Sequence, residues 1–366
     1  MTVLIAGGGT GGHVFPMVAV GEAIARLDPE VRVVYVGTAR GIEGRVIGGI
    51  GGELMLMDVA PLRGGGVGGF VRGVTRAAGS IPEARALIKR VRPAIVLSVG
   101  GYAGGPISLA ARLSGVPVAM LEPNSVLGLS NRLLTPFAER AYVAFPEVER
   151  FLRPSIVRRS GVPLRKAFAP ISYEPQRDRL AVLVLGGSQG AQALNENVPR
   201  AVALAEKEGL PLAVIHQTGR DREEAVRALY AELSVRSASV VPFIDDVAGA
   251  LGAADVVIER AGASSLAELC AVGRPSILIP YPFAADDHQH KNAVSLEKAG
   301  AAVALAQTAA TPERIAAELG RLARDPGRRA RMAKAAAALG KPDAAMDVAR
   351  DLLDVVRARA RAREAS

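Results

Sequence analysis

The stretch that decides the fold lies at the start of the chain, where residues 3–13 read VLIAGGGTGGH. Four apolar residues lead into six residues that are all glycine except Thr10, and a helix-like run follows from His13. This order is typical of the first strand, turn and helix of a parallel α/β sheet. Because glycine has no Cβ, the backbone N–H groups of such a turn approach an anion closely, and the helix N-terminus adds partial positive charge. The turn indicates an anion site, or else a tight packing turn between strand and helix.

The same design recurs further along the chain. Residues 181–190 read AVLVLGGSQG, residues 100–105 form another glycine cluster, and residues 256–268 read VVIERAGASSLAE. Other short apolar runs alternate with helix-like segments, at 31–36, 94–98, 117–121, 141–144, 212–216, 239–243 and 276–279. This alternation is the pattern of parallel sheets with crossover helices, and it predicts an α/β fold whose strands are buried on both faces.

The length of 366 residues favours two such domains over one. The strand pattern restarts after Pro163, so we place the linker at 160–165, the first domain at 1–160 and the second at 164–340. The tail, from about 341 to 366, carries apolar residues at helical spacing. We expect this tail to form an amphipathic helix that packs back on the first domain.

The net charge of +9 favours anionic partners, namely nucleic acid, an acidic membrane surface or phosphate-bearing substrates. The chain has no Trp and only 4% aromatic residues, so the stacking platforms of nucleic-acid binders are scarce, and we predict no nucleic-acid partner. The start shows no leader pattern and Cys270 has no second cysteine to pair with, which predicts a cytosolic protein. Residues 63–92 mix glycine, apolar and cationic residues, typical of an anionic membrane interface or of an ordinary helix with a solvated basic face.

Three of the first glycines, Gly7, Gly9 and Gly12, also satisfy the G-x-G-x-x-G dinucleotide pattern. That motif requires an acidic residue after the second strand to hold a ribose, and none is present there. Arg40 at that place suits a 2′-phosphate, so an NADP-dependent oxidoreductase remains an alternative. The recurrence of glycine turns in both halves favours two phosphorylated ligands over one cofactor.

Glu268 has two interpretations of equal weight. Ser265 and Glu268 have the spacing of a capping box, which would occupy the carboxylate with backbone N–H groups. Alternatively, the carboxylate accepts hydrogen bonds from the two hydroxyls of a ribose.

We predict no metal and no other cofactor. His288 and His290 are two residues apart and so diverge on a helix, and no Asp-x-Asp pair is present. The charge of a leaving group would then be met by the glycine turns, by helix termini and by cations such as Arg165 or Arg260.

Four clusters together resemble the MurG family of bacterial glycosyltransferases: residues 7–16, 100–106, 186–191 and 260–263, with 243–246 and 292–293 in the same order. The resemblance covers about residues 1–345. It implies a GT-B fold, in which two Rossmann-like domains face each other across a cleft. It also implies inverting, metal-independent transfer of N-acetylglucosamine from UDP-N-acetylglucosamine to the C4 hydroxyl of undecaprenyl-pyrophosphoryl-N-acetylmuramyl-pentapeptide. The lipid-linked acceptor places the enzyme at the anionic cytoplasmic face of the inner membrane.

The resemblance assigns the site residues and moves Glu268 from the capping box to the ribose. Donor-binding residues would be Thr10, Gly11, Gly12, Asn124, Arg165, Ser188, Ile244, Ala263, Ser264, Ser265, Leu266, Ala267, Glu268 and Gln289. Acceptor-binding residues would be Gly9, Gly101, Tyr102 and Asn124. His13 is a candidate general base because imidazole titrates near neutral pH, and Glu122 is the other candidate. An equally weighted role for His13 is to shape the glycine turn.

Three positions depart from the family pattern, namely Pro123, Val162 and Ala261. Pro123 fixes its own φ and so affects the direction of Asn124. Two other hypotheses stay open: a related transferase with another acceptor, and a non-catalytic sugar-nucleotide sensor or epimerase-like protein on the same fold.

Overall fold

The computed structural model describes residues 1–8, 11–38, 43–59, 79–175, 178–187 and 190–364. The chain divides into two compact units, one formed by Met1–Lys166 with Lys341–Ser366 and the other by Ala167–Gly340. The second unit therefore starts three residues later than the predicted 164. Residues of the predicted linker pack into the first unit, where Val162 and Leu164 are buried and the Gly161 N–H donates to the Val143 carbonyl at 3.2 Å.

The first unit is a seven-stranded parallel sheet in the order β3-β2-β1-β4-β5-β6-β7. Its strands are β1 Thr2–Ala6, β2 Arg32–Thr38, β3 Glu53–Met57, β4 Ile95–Ser98, β5 Val118–Glu122, β6 Arg140–Val143 and β7 Val157–Arg158. Its helices are α1 Gly11–Leu27, α2 Glu43–Gly49, α3 Ile81–Val91, α4 Gly101–Leu113 and α5 Leu129–Leu134, with 3-10 turns at Pro146–Phe151 and Pro154–Ile156.

The second unit repeats this plan with six parallel strands in the order β10-β9-β8-β11-β12-β13. The strands are β8 Leu180–Leu185, β9 Leu212–Gln217, β10 Ala238–Val241, β11 Val256–Glu259, β12 Ser276–Leu278 and β13 Ala302–Ala304. The helices are α6 Gln192–Lys207, α7 Glu223–Glu232, α8 Val247–Ala253, α9 Ala263–Val272, α10 His288–Lys298, α11 Pro312–Arg324 and α12 Pro326–Leu339, with a 3-10 turn at Ala285–Asp287.

All ten apolar runs predicted as strands are strands, which confirms the α/β class. The sequence missed β3, β7 and β13, which all lie at sheet edges. An edge strand is covered less completely, so it does not need the continuous apolar run by which the others were found. In β3, for example, Leu56 is about half exposed.

The C-terminal helix, α13 Ala344–Glu364, packs on α1 within the first unit. Its apolar side chains, including Val348 and Leu352, join the core that covers one face of the first sheet. Asp351 on the same helix accepts hydrogen bonds from Tyr142 Oη at 2.8 Å and Arg140 Nε at 3.0 Å. In the part of the chain that the structure describes, no helix has the length and apolar character to cross a membrane.

Both sheets reverse their strand order at one point, between β1 and β4 and between β8 and β11. In open α/β sheets, ligands bind beyond the carboxyl ends of the strands at such a switch point. The turns that follow these four strands include the four glycine clusters of the sequence analysis. The topology therefore brings the clusters together in pairs, one pair in each unit.

Candidate functional site

The switch point of the first unit is built from glycines that touch backbone to backbone. Gly8 has a φ of +132° and Gly101 a φ of +73°, values that other residues adopt at a cost. A Cβ on Gly101 would overlap the carbonyl of Gly8, and a Cβ on Gly8 would overlap the buried Glu43 carboxylate. The turns after β1 and β4 thus approach as closely as two backbones can, which only glycine permits.

His13 lies at the same switch point, in the first turn of α1. Its Nε2 atom would be 3.4 Å from a Cβ placed on Gly100, so the glycine of the β4 turn leaves the space beside the imidazole. The structure therefore places His13 against both glycine turns of the first unit. Gly9 and Thr10 lie outside the described residues, as does the side chain of Tyr102.

Glu122 ends β5 and is almost completely buried. Its Oε1 accepts from the backbone N–H and side-chain amide of Asn124 at 3.1 and 3.3 Å. Its Oε2 accepts from the Gly128 N–H at 2.8 Å and from Asn131 Nδ2 at 3.1 Å. Burial raises the pKa of Glu122, and these four hydrogen bonds oppose that rise. The carboxyl group thereby determines the course of the loop that carries Asn124.

Arg165, assigned by resemblance to the donor, belongs to the first unit. Its exposed guanidinium group lies 5.2 Å from the ring centroid of Phe15, on helix α1. This cation–π contact holds Arg165 beside Phe15 on α1, and Phe15 is two residues after His13 in the sequence.

In the second unit, the turn after β8 is fastened to the strand beside it. The Gly186 N–H donates to the Gln217 carbonyl at 3.0 Å, and Gln217 Nε2 donates to the Gly187 carbonyl at 2.9 Å. Gly190 has a φ of +73°, and a Cβ there would overlap the Thr218 carbonyl. The glycines are required by this close approach, whereas Ser188 lies outside the described residues.

The start of helix α9 tests the capping interpretation of Glu268. The helix begins after Gly262, whose φ and ψ of −69° and 138° are those of an N-cap, and no described side chain caps it. Ser265 is the third residue of the helix and Glu268 the sixth, so the capping box of Ser265 and Glu268 is wrong. The box requires its serine at the N-cap, a place that Gly262 takes.

The first turn of α9 presents backbone N–H groups toward the switch point. Leu266 N donates to the Gly262 carbonyl at 2.9 Å and is the first amide of the helix with an intrahelical partner. The amides of Ala263, Ser264 and Ser265 come before it, and these are the groups that a helix N-terminus offers to an anion. Leu266 itself is buried, while Ala267 is half-buried.

The remaining predicted residues follow β10, β11 and β12. Ile244 is half-buried in the segment after β10. Gln289, in the first turn of α10, accepts from the Tyr281 N–H at 2.9 Å through Oε1. Arg260 Nη1 donates to the Ile279 carbonyl at 2.9 Å, and its guanidinium group lies 5.6 Å from the Tyr281 ring centroid. Within the described residues, no group of three His, Cys, Asp or Glu side chains is arranged to hold a metal ion.

Sequence reasoning missed three residues that the structure places at the two switch points. Asn131 joins Glu122 to β5 and β4, donating to the Leu121 carbonyl at 2.8 Å and accepting from Ser98 Oγ at 3.4 Å. Asn195 donates to the Thr218 carbonyl at 3.0 Å, beneath the Gly190 turn. Glu259 is the last residue of β11, and its carboxyl group is buried. The only signal for Glu259 in the sequence was an acidic residue directly after an apolar run.

Comparisons with known proteins agree with this architecture. The N-terminal domain of glycosyltransferase family 28 matches residues 3–143, and the C-terminal domain of that family matches residues 181–348. A protein of Sorangium cellulosum (strain So ce56) is 69% identical over 319 residues, which cover 86% of this chain and 79% of that protein. It is named UDP-N-acetylglucosamine–N-acetylmuramyl-(pentapeptide) pyrophosphoryl-undecaprenol N-acetylglucosamine transferase.

Solved structures give the same result. The crystal structure of Acinetobacter baumannii MurG has a TM-score of 0.80 at 31% identity and covers 97% of this chain and 99% of its own. A UDP-GlcNAc 2-epimerase from Neisseria meningitidis has a TM-score of 0.69 at 14% identity, covers 97% of this chain and 100% of its own, and shows the fold alone. The chain has the GT-B fold and belongs to glycosyltransferase family 28, within the MurG family.

Proposed function

We propose that the chain transfers N-acetylglucosamine from UDP-N-acetylglucosamine to the C4 hydroxyl of a lipid-linked N-acetylmuramyl-pentapeptide diphosphate. The observation that carries this proposal is the 69% identity to a relative whose name states both substrates. The same relative favours the lipid-linked acceptor over the alternative of another acceptor. The product would be the lipid-linked disaccharide of peptidoglycan.

The second unit is assigned to the donor. Glu268, on the helix that begins at this switch point, would accept hydrogen bonds from the ribose hydroxyls. The amides of the first turn of α9 would hold a phosphate of the leaving UDP, since they precede the first intrahelical hydrogen bond. The Ile244 backbone would bind uracil, Ser188 would lie beside the nucleotide, and Gln289 would contact the sugar.

The first unit is assigned to the acceptor and to proton transfer. His13 Nε2 would take the proton of the C4 hydroxyl while that oxygen attacks the anomeric carbon and UDP departs from the opposite face. His13 is the better of the two candidate bases, because Glu122 already accepts four hydrogen bonds. Glu122 would instead position Asn124, and Gly101 would bring its turn against the acceptor. Arg165 beside Phe15 would supply a cation for the diphosphate.

A lipid-linked acceptor requires work at a membrane surface, so we also propose peripheral association with the anionic cytoplasmic face of the inner membrane. The charge of +9 supports this. So does helix α3, whose exposed face carries Arg85, Lys89 and Arg90. Most of the remaining predicted membrane stretch, residues 63–78, lies outside the described residues.

The test is UDP release from UDP-N-acetylglucosamine, with and without the lipid-linked muramyl-pentapeptide, in the presence of EDTA. We expect turnover that depends on the acceptor, resists EDTA and yields a β-linked disaccharide. His13→Ala should lower kcat by about 100-fold or more and leave UDP affinity unchanged, because a general base contributes about that much. Exposed His290→Ala, in the second unit, serves as the matched control.

Each other outcome has a distinct meaning. Donor binding without acceptor-stimulated turnover would reject the lipid-linked acceptor and favour a sensor. Interconversion of the donor at its C2 position would favour an epimerase. Loss of turnover in EDTA would reject the metal-independent reaction.

A further inference from the structure

The function proposed above makes no use of Glu259, the last residue of β11. Its side chain is only 2% exposed. The strand lies between β8 and β12, where Glu259 pairs with Leu185 and Leu278. It therefore lies at the switch point of the second unit, directly before the short turn that leads to the N-terminus of α9.

The carboxyl group of Glu259 has no compensating partner among the described residues. Its Oε1 is buried without a hydrogen bond, and no ion pair of the described chain includes it. Arg260, its neighbour in sequence, directs its guanidinium group to the Ile279 carbonyl instead. The neighbours on β8 and β12, Leu185 and Leu278, do not ionise.

Among the described residues, the ionisable groups that interact electrostatically with Glu259 belong to α9. They are the Glu268 carboxylate, which repels a second negative charge, and the Cys270 thiol, which is buried and itself resists ionisation. Burial, with the charge of Glu268 in addition, raises the pKa of Glu259 well above its usual range. A buried carboxylate without a cation is among the most unfavourable arrangements in a protein, so this side chain is held as a neutral acid.

We propose that Glu259 is a positioning residue of the donor site, a neutral acid whose protonation leaves Glu268 as the single negative charge available to the ribose of an anionic nucleotide sugar. This inference rests on the assignment of Glu268 to the donor. Ionisation of Glu259 would add a second buried charge beside Glu268 and near the first turn of α9. That charge would oppose the diphosphate and displace the Glu268 carboxylate.

The consequence is a donor site whose affinity for the nucleotide sugar decreases as the pH rises. Nucleotide binding and protonation of Glu259 favour each other, because protonation removes a charge that repels the anionic donor, and the bound donor in turn makes ionisation of Glu259 less favourable. Above the pKa of Glu259, linkage then lowers the affinity for the donor by up to about tenfold per pH unit. The substitution Glu259→Gln keeps the shape of the neutral acid but cannot ionise. It should therefore abolish the pH dependence of donor affinity.

The test is calorimetric titration of the full chain with UDP-N-acetylglucosamine between about pH 6 and about pH 9. The affinity of the wild type should fall toward the alkaline end, by no more than about tenfold per pH unit, while Glu259→Gln should bind within about twofold of the wild type at the acidic end and then stay level. Glu318→Gln is the matched control. Glu318 is equally buried in the second unit, but it is paired with Arg314 and Arg321, and its variant should decline with the wild type.

Three results would overturn the inference. They are parallel decline of the wild type and Glu259→Gln, level affinity of both, or loss of binding in a Glu259→Gln variant that circular dichroism shows to be folded. Failure of the proposed function itself looks different, because the wild type would then bind no donor at any pH.

Discussion

At the scale of single residues, the second unit contains a buried polar chain that the glycine turn depends on. His216 is completely buried, with Nδ1 3.0 Å from Tyr230 Oη and Nε2 3.2 Å from Asn195 Oδ1. Asn195 then donates to the Thr218 carbonyl, the same group that forbids a Cβ on Gly190. The chain thus connects the core of the sheet to the turn after β8. Burial lowers the pKa of His216 to about 4, so the imidazole is neutral at physiological pH.

Acid should therefore destabilise the second unit through His216. An unfolded histidine titrates near 6.5 and the folded one at about 4, so the unfolded state binds more protons between these values. The free energy of unfolding therefore decreases by about 1.4 kcal/mol for each unit by which the pH is lowered, or by about 3 kcal/mol across the window. Urea unfolding at about pH 7 and about pH 5, followed by circular dichroism, should show this loss in the wild type and a smaller loss in His216→Gln.

Exposed His290→Gln is the control for that measurement, and it should lose as much stability as the wild type. Equal acid sensitivity of His216→Gln and the wild type would show that this imidazole does not control the transition.

At the scale of elements, the turns after β1 and β4 depend on one another. Gly101 and Gly115 share a φ of +73°, but only Gly101 has another backbone, that of Gly8, where a Cβ would lie. No described atom is within 4 Å of a Cβ on Gly115. The two positions therefore separate the conformational cost of a left-handed residue from the cost of pushing two turns apart.

We predict that Gly115→Ala costs about 1 kcal/mol of stability, the ordinary penalty for a left-handed residue, and leaves turnover unchanged. Gly101→Ala should cost at least about 2 kcal/mol, because the backbone overlap adds to the same penalty. It should also lower kcat/KM for the lipid-linked acceptor by about tenfold or more, with UDP affinity unchanged. Thermal unfolding and steady-state kinetics of both variants make the comparison, and equal effects at the two sites would refute the coupling of the turns.

At the scale of the whole molecule, the cationic surface predicts binding to anionic vesicles. Reversal of two charges on α3, Arg85→Glu with Lys89→Glu, should weaken sedimentation with phosphatidylglycerol-containing vesicles by more than about tenfold. Each cation near such a surface contributes about 1 kcal/mol. Added salt should weaken wild-type binding in the same assay.

The control reverses the same number of charges in the second unit, Arg200→Glu with Arg236→Glu, both exposed. This double variant should sediment nearly as well as the wild type. An equal loss in both double variants would mean that net charge, and not the face of α3, drives the association.

The local features of this protein were determined by its sequence alone. Ten of the described strands were evident from their apolar runs, because a strand covered on both faces requires an uninterrupted apolar run. The glycine turns were evident because a left-handed φ or a backbone contact excludes a Cβ, as at Gly101 and Gly190. The two-domain plan followed from the repetition of these units, and the combination of four turns indicated the family.

Tertiary structure decided how the polar residues are used. Whether Glu268 caps its helix depended on where α9 begins, and packing after β11 placed that start at Gly262. The hydrogen bond from Asn131 of α5 to Glu122 of β5 and the isolation of Glu259 come from the packing of separate elements. The spacing of residues in a sequence predicts interactions between residues that are a few positions apart. Burial and long-range hydrogen bonds form only when the sheet brings distant segments together.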